Sequence, residues 1–200
     1  MYLSQEHPDI KKVYFIGEQG IIDAFSSFGI EAVGGPNEKE ITMTSTEYEH
    51  YELDPEIGAV VVGYDTDVSY RKVCIATLYL QNDRKFIACN DDMFDMVQGR
   101  PIPATGVTLN TLEYTTGIKP HVWGKPNPTA FEILTKEHNL SEDDKKKCIM
   151  FGDRLSTDIQ FAKNVGIDSA LVLTGCSTEE DITPELKPTY VLPRLGTFKE

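Results

Sequence analysis

Short apolar runs with no polar side constrain this chain more than any other feature of it. "KKVYFIG" (11–17), "AVVVGYD" (59–65), "KFIACN" (85–90), "CIMFGD" (148–153) and "SALVLTG" (169–175) each string apolar residues together without alternation. Runs this short suit strands better than helices, and strands that are apolar on both sides must be covered on both faces. Helix-like stretches separate them. "IIDAFSSFG" ends at Gly29, "SYRKVCIATLYLQND" carries Val73, Ala76, Leu78 and Leu80, and "ATGVTLNTLEYTTG" closes at Gly117. "NPTAFEILTKEHN" has Asn127 placed to cap with Pro128 at the first helical position, and "TDIQFAKNVG" stops at Gly166. "EAVGG" and "TYVL" read as further short strands, "SEDDKKK" opens like a capping box of Ser141 with Asp144, and "HVWG" reads as a strand opening the second half. Strand followed by helix, repeated, predicts parallel α/β layers.

The polar, acidic stretch 36–58 reads as a surface excursion, and the mild break at "TTGIKP" (115–120) predicts a domain boundary. A net charge of −13 over 200 residues argues against nucleic acid or an anionic membrane surface as a partner. An anionic substrate would therefore need a local cation to overcome the general field. The four cysteines (Cys74, Cys89, Cys148, Cys176) show no C-x-x-C spacing, and the four histidines are scattered, which predicts reduced thiols and no zinc site. No apolar run approaches a membrane span, and "MYLSQEHPDI" lacks the regions of a signal peptide. A cytoplasmic protein is expected.

Two segments carry chemistry. In "VWGKPNP", Lys125 follows a strand and precedes a helix whose free N–H groups favour an anion; the lysine adds a point charge suited to phosphate. In "CIMFGDRLSTDI", a strand delivers Asp153 to its carboxyl end, where ligand sites of open α/β sheets lie, and Asp158 follows at the start of the next helix. A hard oxygen ligand at that point suits Mg²⁺, which takes one or two carboxylates and fills its shell with water and phosphate. Alone, a G-K-P turn is common, and a strand ending in Gly-Asp is as often a helix cap. Together and in this order they are far more specific.

"VWGKPNPTAFEIL" followed by "IMFGDRLSTDIQFAKNVGIDSALVLTG" resembles the third and fourth motifs of the haloacid dehalogenase superfamily, most closely its 4-nitrophenylphosphatase and phosphoglycolate phosphatase group. Upstream, "KVYFIGEQGIIDAFSSFGIEAVGG", "VVVGYDTDVSYRKVCIATLYLQ" and "FIACNDDMF" resemble the large α/β cap of those enzymes, so the likeness covers nearly the whole chain. The resemblance implies a large α/β cap domain at 11–119 and the C-terminal part of a Rossmann-like parallel-sheet core at 120–200, with 1–10 the remnant of a core helix. It implies Mg²⁺-dependent hydrolysis of a small phosphorylated metabolite through an aspartyl-phosphate, in a homodimer formed through the cap. Lys125 would neutralise the phosphoryl group, Asp153 would hold Mg²⁺, and Asp158 would support Asp153 or the water ligands of the metal from behind. Phe94, in "NDDMFDM" (90–96), would shape the leaving-group pocket; the alternative is an ordinary core phenylalanine.

Asp65 and Asp67, in "GYDTDVSY", imitate the nucleophile and acid of that family. There the Asp-x-Asp lies near the N-terminus, ahead of a flap-forming hairpin and a Thr/Ser motif. Here "VSYRKVCIATLYLQ" runs straight into a helix, so the pair is expected to be a strand end inside the cap. The segment that would hold the nucleophile, the general acid and the Thr/Ser motif has no counterpart in this sequence. The chain alone is therefore expected to be inactive. The alternative is a non-catalytic protein that keeps the cap for dimerisation or metabolite binding.

Overall fold

The computed structural model describes residues 2–197. The chain divides into two compact units, Met1–Val122 and Trp123–Glu200. Both are α/β layers built on parallel sheets.

The first unit runs α1 (Tyr2–Glu6), β1 (Lys12–Ile16), α2 (Gln19–Ser27), β2 (Glu31–Gly34), α3 (Ser45–Glu49), β3 (Ile57–Val62), α4 (Tyr70–Leu80), β4 (Lys85–Ala88), β5 (Phe94–Val97), β6 (Arg100–Pro103), α5 (Thr105–Thr116) and β7 (His121–Val122). Five strands form a sheet in the order β2-β1-β3-β4-β7, every pair parallel. The apolar runs supply its centre. Val13, Phe15 and Ile16 of β1 and Ala59 to Val62 of β3 are all 0% exposed, as a sheet covered on both faces requires. Ile75 and Leu80 of α4 and Leu112 of α5 pack on one face with Tyr14, Val60 and Val62.

Two features depart from the sequence expectation. β7 belongs to the first sheet, with Ile87 opposite His121 and Ala88 opposite Val122. The division therefore falls after Val122, where 119/120 was expected, because the edge of β4 takes up the strand residues of "HVWG". The antiparallel hairpin β5–β6 was not foreseen. Pro101 and Pro103 argue against a strand in sequence, yet they are tolerated in a two-stranded ribbon with free edges. Gln98 (φ 48°) and Gly99 (φ 75°) form its turn, both residues at the positive φ that matches strand twist. The acidic excursion is anchored more firmly than its composition suggests. Thr44 and Glu47 form a capping box for α3, and Met43 is buried in the core.

The second unit comprises α6 (Thr129–Glu137), α7 (Glu142–Lys145), β8 (Ile149–Gly152), α8 (Gln160–Val165), β9 (Asp168–Val172) and β10 (Tyr190–Leu192). Its parallel sheet has the order β10-β9-β8. Ser141 and Asp144 form the expected capping box for α7, and Gly166 ends α8 in the left-handed conformation (φ 72°). α6 starts one residue later than expected. The Asn127 side chain donates back to the Gly124 carbonyl (3.3 Å) and leaves the helix end uncapped by a side chain. β9 is buried at Ala170 and Leu171, whereas all four residues of β8 are only half-buried. Among the described residues, no helix is long and apolar enough to cross a membrane.

Candidate active site

The second unit brings three of the expected residues together at the carboxyl end of β8. Asp153 is the first residue beyond that strand, and Asp158 lies in the π-helical turn Leu155–Ile159 that precedes α8. Asp158 is 4% exposed, and both its oxygens are engaged. Oδ2 accepts the backbone N–H groups of Asp153 and Arg154, each at 3.1 Å. Oδ1 accepts from Lys125 Nζ at 2.6 Å. One buried carboxylate thus fixes the backbone that presents Asp153 and also holds the ammonium of Lys125.

Asp153 is arranged differently. It is half-buried, and its Oδ2 accepts the backbone N–H of Cys176 at 2.8 Å. Partial burial pushes its carboxyl upward, but the N–H and side chain of Cys176, its own N–H and the charge of Arg154 outweigh that and hold it below the usual carboxylate range. The group stays ionised, as a cation ligand must. Among the described residues, no three His, Cys, Asp or Glu side chains gather as a complete metal cage. An ion that binds mainly through water and phosphate needs only such a single carboxylate from the protein.

The sequence reading missed the residues that let these groups approach. A Cβ on Gly152 would collide with the Asp158 side chain, and one on Gly175 would collide with the Asp153 carboxylate. Glycine at both places is a steric necessity. Ser177 clasps the same loop: its N–H donates to the Asp153 carbonyl (2.9 Å), and its Oγ accepts from Leu155 N–H (3.1 Å). Asn164 of α8 donates to the Pro126 carbonyl (2.8 Å) and so fastens the segment carrying Lys125 to α8. The signals were present in "FGD" and "VLTGCS", but only the fold shows what each glycine faces.

Phe94 stands on β5 of the first unit and is 51% exposed, so it is not a core residue. Asp65 is committed elsewhere. Its Oδ2 pairs with Lys72 Nζ at 2.9 Å, both side chains almost wholly buried, and its Oδ1 accepts Asp67 N–H at 2.8 Å. Lys72 also donates to the Asp67 carbonyl at 2.8 Å. The Asp-x-Asp of this chain is the closure of a strand end around a buried lysine.

The HAD-hydrolase-like family profile matches residues 122–198, the stretch that holds the Lys125, Asp153 and Asp158 cluster. Over nearly its whole length the chain is 37% identical to 4-nitrophenylphosphatase of Schizosaccharomyces pombe, covering 96% of this chain and 66% of that one. It is 32% identical to phosphoglycolate phosphatase 2 of Arabidopsis thaliana, covering 95% and 64%. The chain thus spans somewhat less than two thirds of the length of these relatives. Among solved structures, a thermostable NPPase double mutant from Geobacillus stearothermophilus superposes with a TM-score of 0.77 at 27% identity, covering 99% of this chain and 69% of that one. A protein from Pyrococcus horikoshii does so with 0.77 at 32% identity, covering 96% and 68%. The likeness extends across both units and includes the segments with the charged cluster, so this chain belongs to the haloacid dehalogenase-like family.

Proposed function

We propose that the chain is part of a cytoplasmic Mg²⁺-dependent phosphatase that hydrolyses a small phosphomonoester of the 4-nitrophenyl phosphate or phosphoglycolate kind. The observation that carries this is the Lys125–Asp158 pair beside Asp153. Lys125 keeps 45% of its side chain exposed while its ammonium is fixed at one end by a buried carboxylate. It is thereby positioned to meet a phosphoryl oxygen, where it offsets the negative charge that grows in the reaction. Asp153 would hold Mg²⁺, helped by the contacts that keep it ionised. When bound, the ion supplies Lewis-acid neutralisation of the phosphoryl group. Asp158 keeps both partners in place through the hydrogen bonds that its two oxygens accept. Names of the relatives support the substrate class. The half-exposed Phe94, Met96 and Val97 of the hairpin support a second proposal, that the first unit mediates a homodimer and that Phe94 contributes to leaving-group recognition.

The chain by itself is proposed to be inactive, because the Asp65 carboxylate is already paired with the buried Lys72. Its hydrolysis of 4-nitrophenyl phosphate should not exceed that of a Lys125→Ala/Asp153→Ala preparation. Mg²⁺-dependent turnover abolished by Asp65→Asn would sink this account. For the metal, calorimetry should show Asp153→Asn weakening Mg²⁺ binding about tenfold or more, with Lys125→Ala changing it far less. Equal affinity before and after Asp153→Asn removes Asp153 from the metal site.

A further inference from the structure

The first unit carries a cationic cavity whose lining includes none of Lys125, Asp153 and Asp158. Its volume is about 300 Å³, and it is lined by His7, Lys85, Phe86, Ile87, Lys119 and His121. In a chain of net charge −13 this is an unusual concentration of basic groups.

The sheet explains how they meet. β4 and β7 run parallel with Ile87 opposite His121. Lys85 opens β4, and Lys119 lies two residues before β7, so both lysines line the same cavity. Like charges brought near one another repel. Elsewhere in this unit such charges are neutralised: Lys12 by Glu31 and Asp54, Arg71 by Glu38 and Glu40, Lys72 by Asp65. Among the described residues, neither Lys85 nor Lys119 has a carboxylate within ion-pair distance, and both are exposed. His7, on the turn after α1, adds a third basic side chain to the same wall. Phe86 and Ile87 are 4% and 2% exposed and form an apolar floor.

We propose that this cavity binds a phosphoryl dianion that sits between Lys85 and Lys119. Lysine ammonium groups are compact point charges that suit a tetrahedral oxyanion, and a guanidinium fork for planar carboxylates is missing from the lining. The cavity is at the small end of ligand pockets, large enough for free phosphate or the phosphoryl end of a small metabolite.

The test uses the whole 200-residue chain and follows the imidazole resonances of His7 and His121 by NMR during titration with inorganic phosphate. Saturable shifts are expected in the unaltered protein and equally in Lys125→Ala, which separates this cavity from the candidate active site. In Lys85→Gln/Lys119→Gln the affinity should fall at least tenfold, while Lys85→Arg/Lys119→Arg retains most of it. Both lysines are exposed, so the fold should tolerate either pair of changes. A parallel titration with glycerol 2-phosphate identifies the occupant, tighter binding than phosphate pointing to an organic ester and equal binding to the free ion. The proposal is overturned if the shifts do not occur, if they persist in the glutamine variant, or if they vanish in Lys125→Ala.

Discussion

Each unit contains a lysine paired with an aspartate, and the two pairs do different work. Lys72 and Asp65 in the first unit are 2.9 Å apart with side chains 1% and 4% exposed. Lys125 and Asp158 in the second are 2.6 Å apart, but the lysine is 45% exposed and only the aspartate is buried, at 5%. In the first pair every charge is consumed internally, because the ammonium also takes the Asp67 carbonyl. In the second, the buried carboxylate anchors a cation whose remaining hydrogens face outward. Residue type and distance are nearly the same. Burial of the lysine decides which pair is a structural closure and which can meet a substrate.

The sharpest way to break this comparison is to remove one charge from each pair. Asp65→Asn leaves the ammonium of Lys72 buried without its counter-ion, a situation that typically costs about 3–5 kcal/mol. Asp158→Asn frees Lys125 into water, so the loss is closer to that of a hydrogen bond to a charged group, about 1.5–3 kcal/mol. Urea unfolding should show both, with the single tryptophan, Trp123, reporting the second unit. A larger loss for Asp158→Asn would mean that Lys125 is not the open member of the two.

The sheets differ in the same sense, and hydrogen exchange should show it. The central strands β1 and β3 of the first sheet lie between neighbours and are buried almost completely. β8 is at the edge of its three-stranded sheet, with Ile149, Met150 and Phe151 half-buried. Half-burial forfeits about 1 kcal/mol for each such side chain, about 3 kcal/mol in all. That corresponds to roughly a hundredfold difference in protection. Amides of β8 should therefore exchange about a hundred times faster than those of β1 and β3. Equal protection in a demonstrated monomer would show that the second sheet is as well covered as the first.

How much of this was legible beforehand follows from what each residue must see. The strands of both sheets could be read because unbroken apolar runs permit little else, and Ser141–Asp144 and Gly166 marked ends through purely local contacts. Lys125, Asp153 and Asp158 could be picked out by motif and family likeness, but not the contacts that hold them together. That Asp158 spends both oxygens on Lys125 and two N–H groups depends on a turn whose geometry no spacing announces. β7 was assigned to the wrong sheet because two strand residues carry no sign of their neighbour. Gly175 and Ser177 escaped notice since they act on Asp153 from across the sheet, more than twenty residues away, through contacts set by the fold.

The smallest expected effect concerns acid, and it refines the contrast at Asp153. Its folded pKa lies below the ordinary carboxylate value, so its contribution to stability is present above that value, near pH 4, and is lost as pH falls through the folded pKa. Glu47 and Asp54 of the first unit are lowered as well, by the Thr44 cap and by Lys12 respectively, so both units should lose stability in the same acidic window. Only Asp153 is proposed to hold Mg²⁺, however. Binding of the ion should be flat between about pH 7 and 5 and decline only below about pH 4, since protonation competes for the same oxygens. Calorimetric Mg²⁺ titrations at three pH values check this. An affinity that already falls between pH 7 and 5 would place the ion on a group that titrates higher, and Asp153 would then have to be replaced in the proposed site.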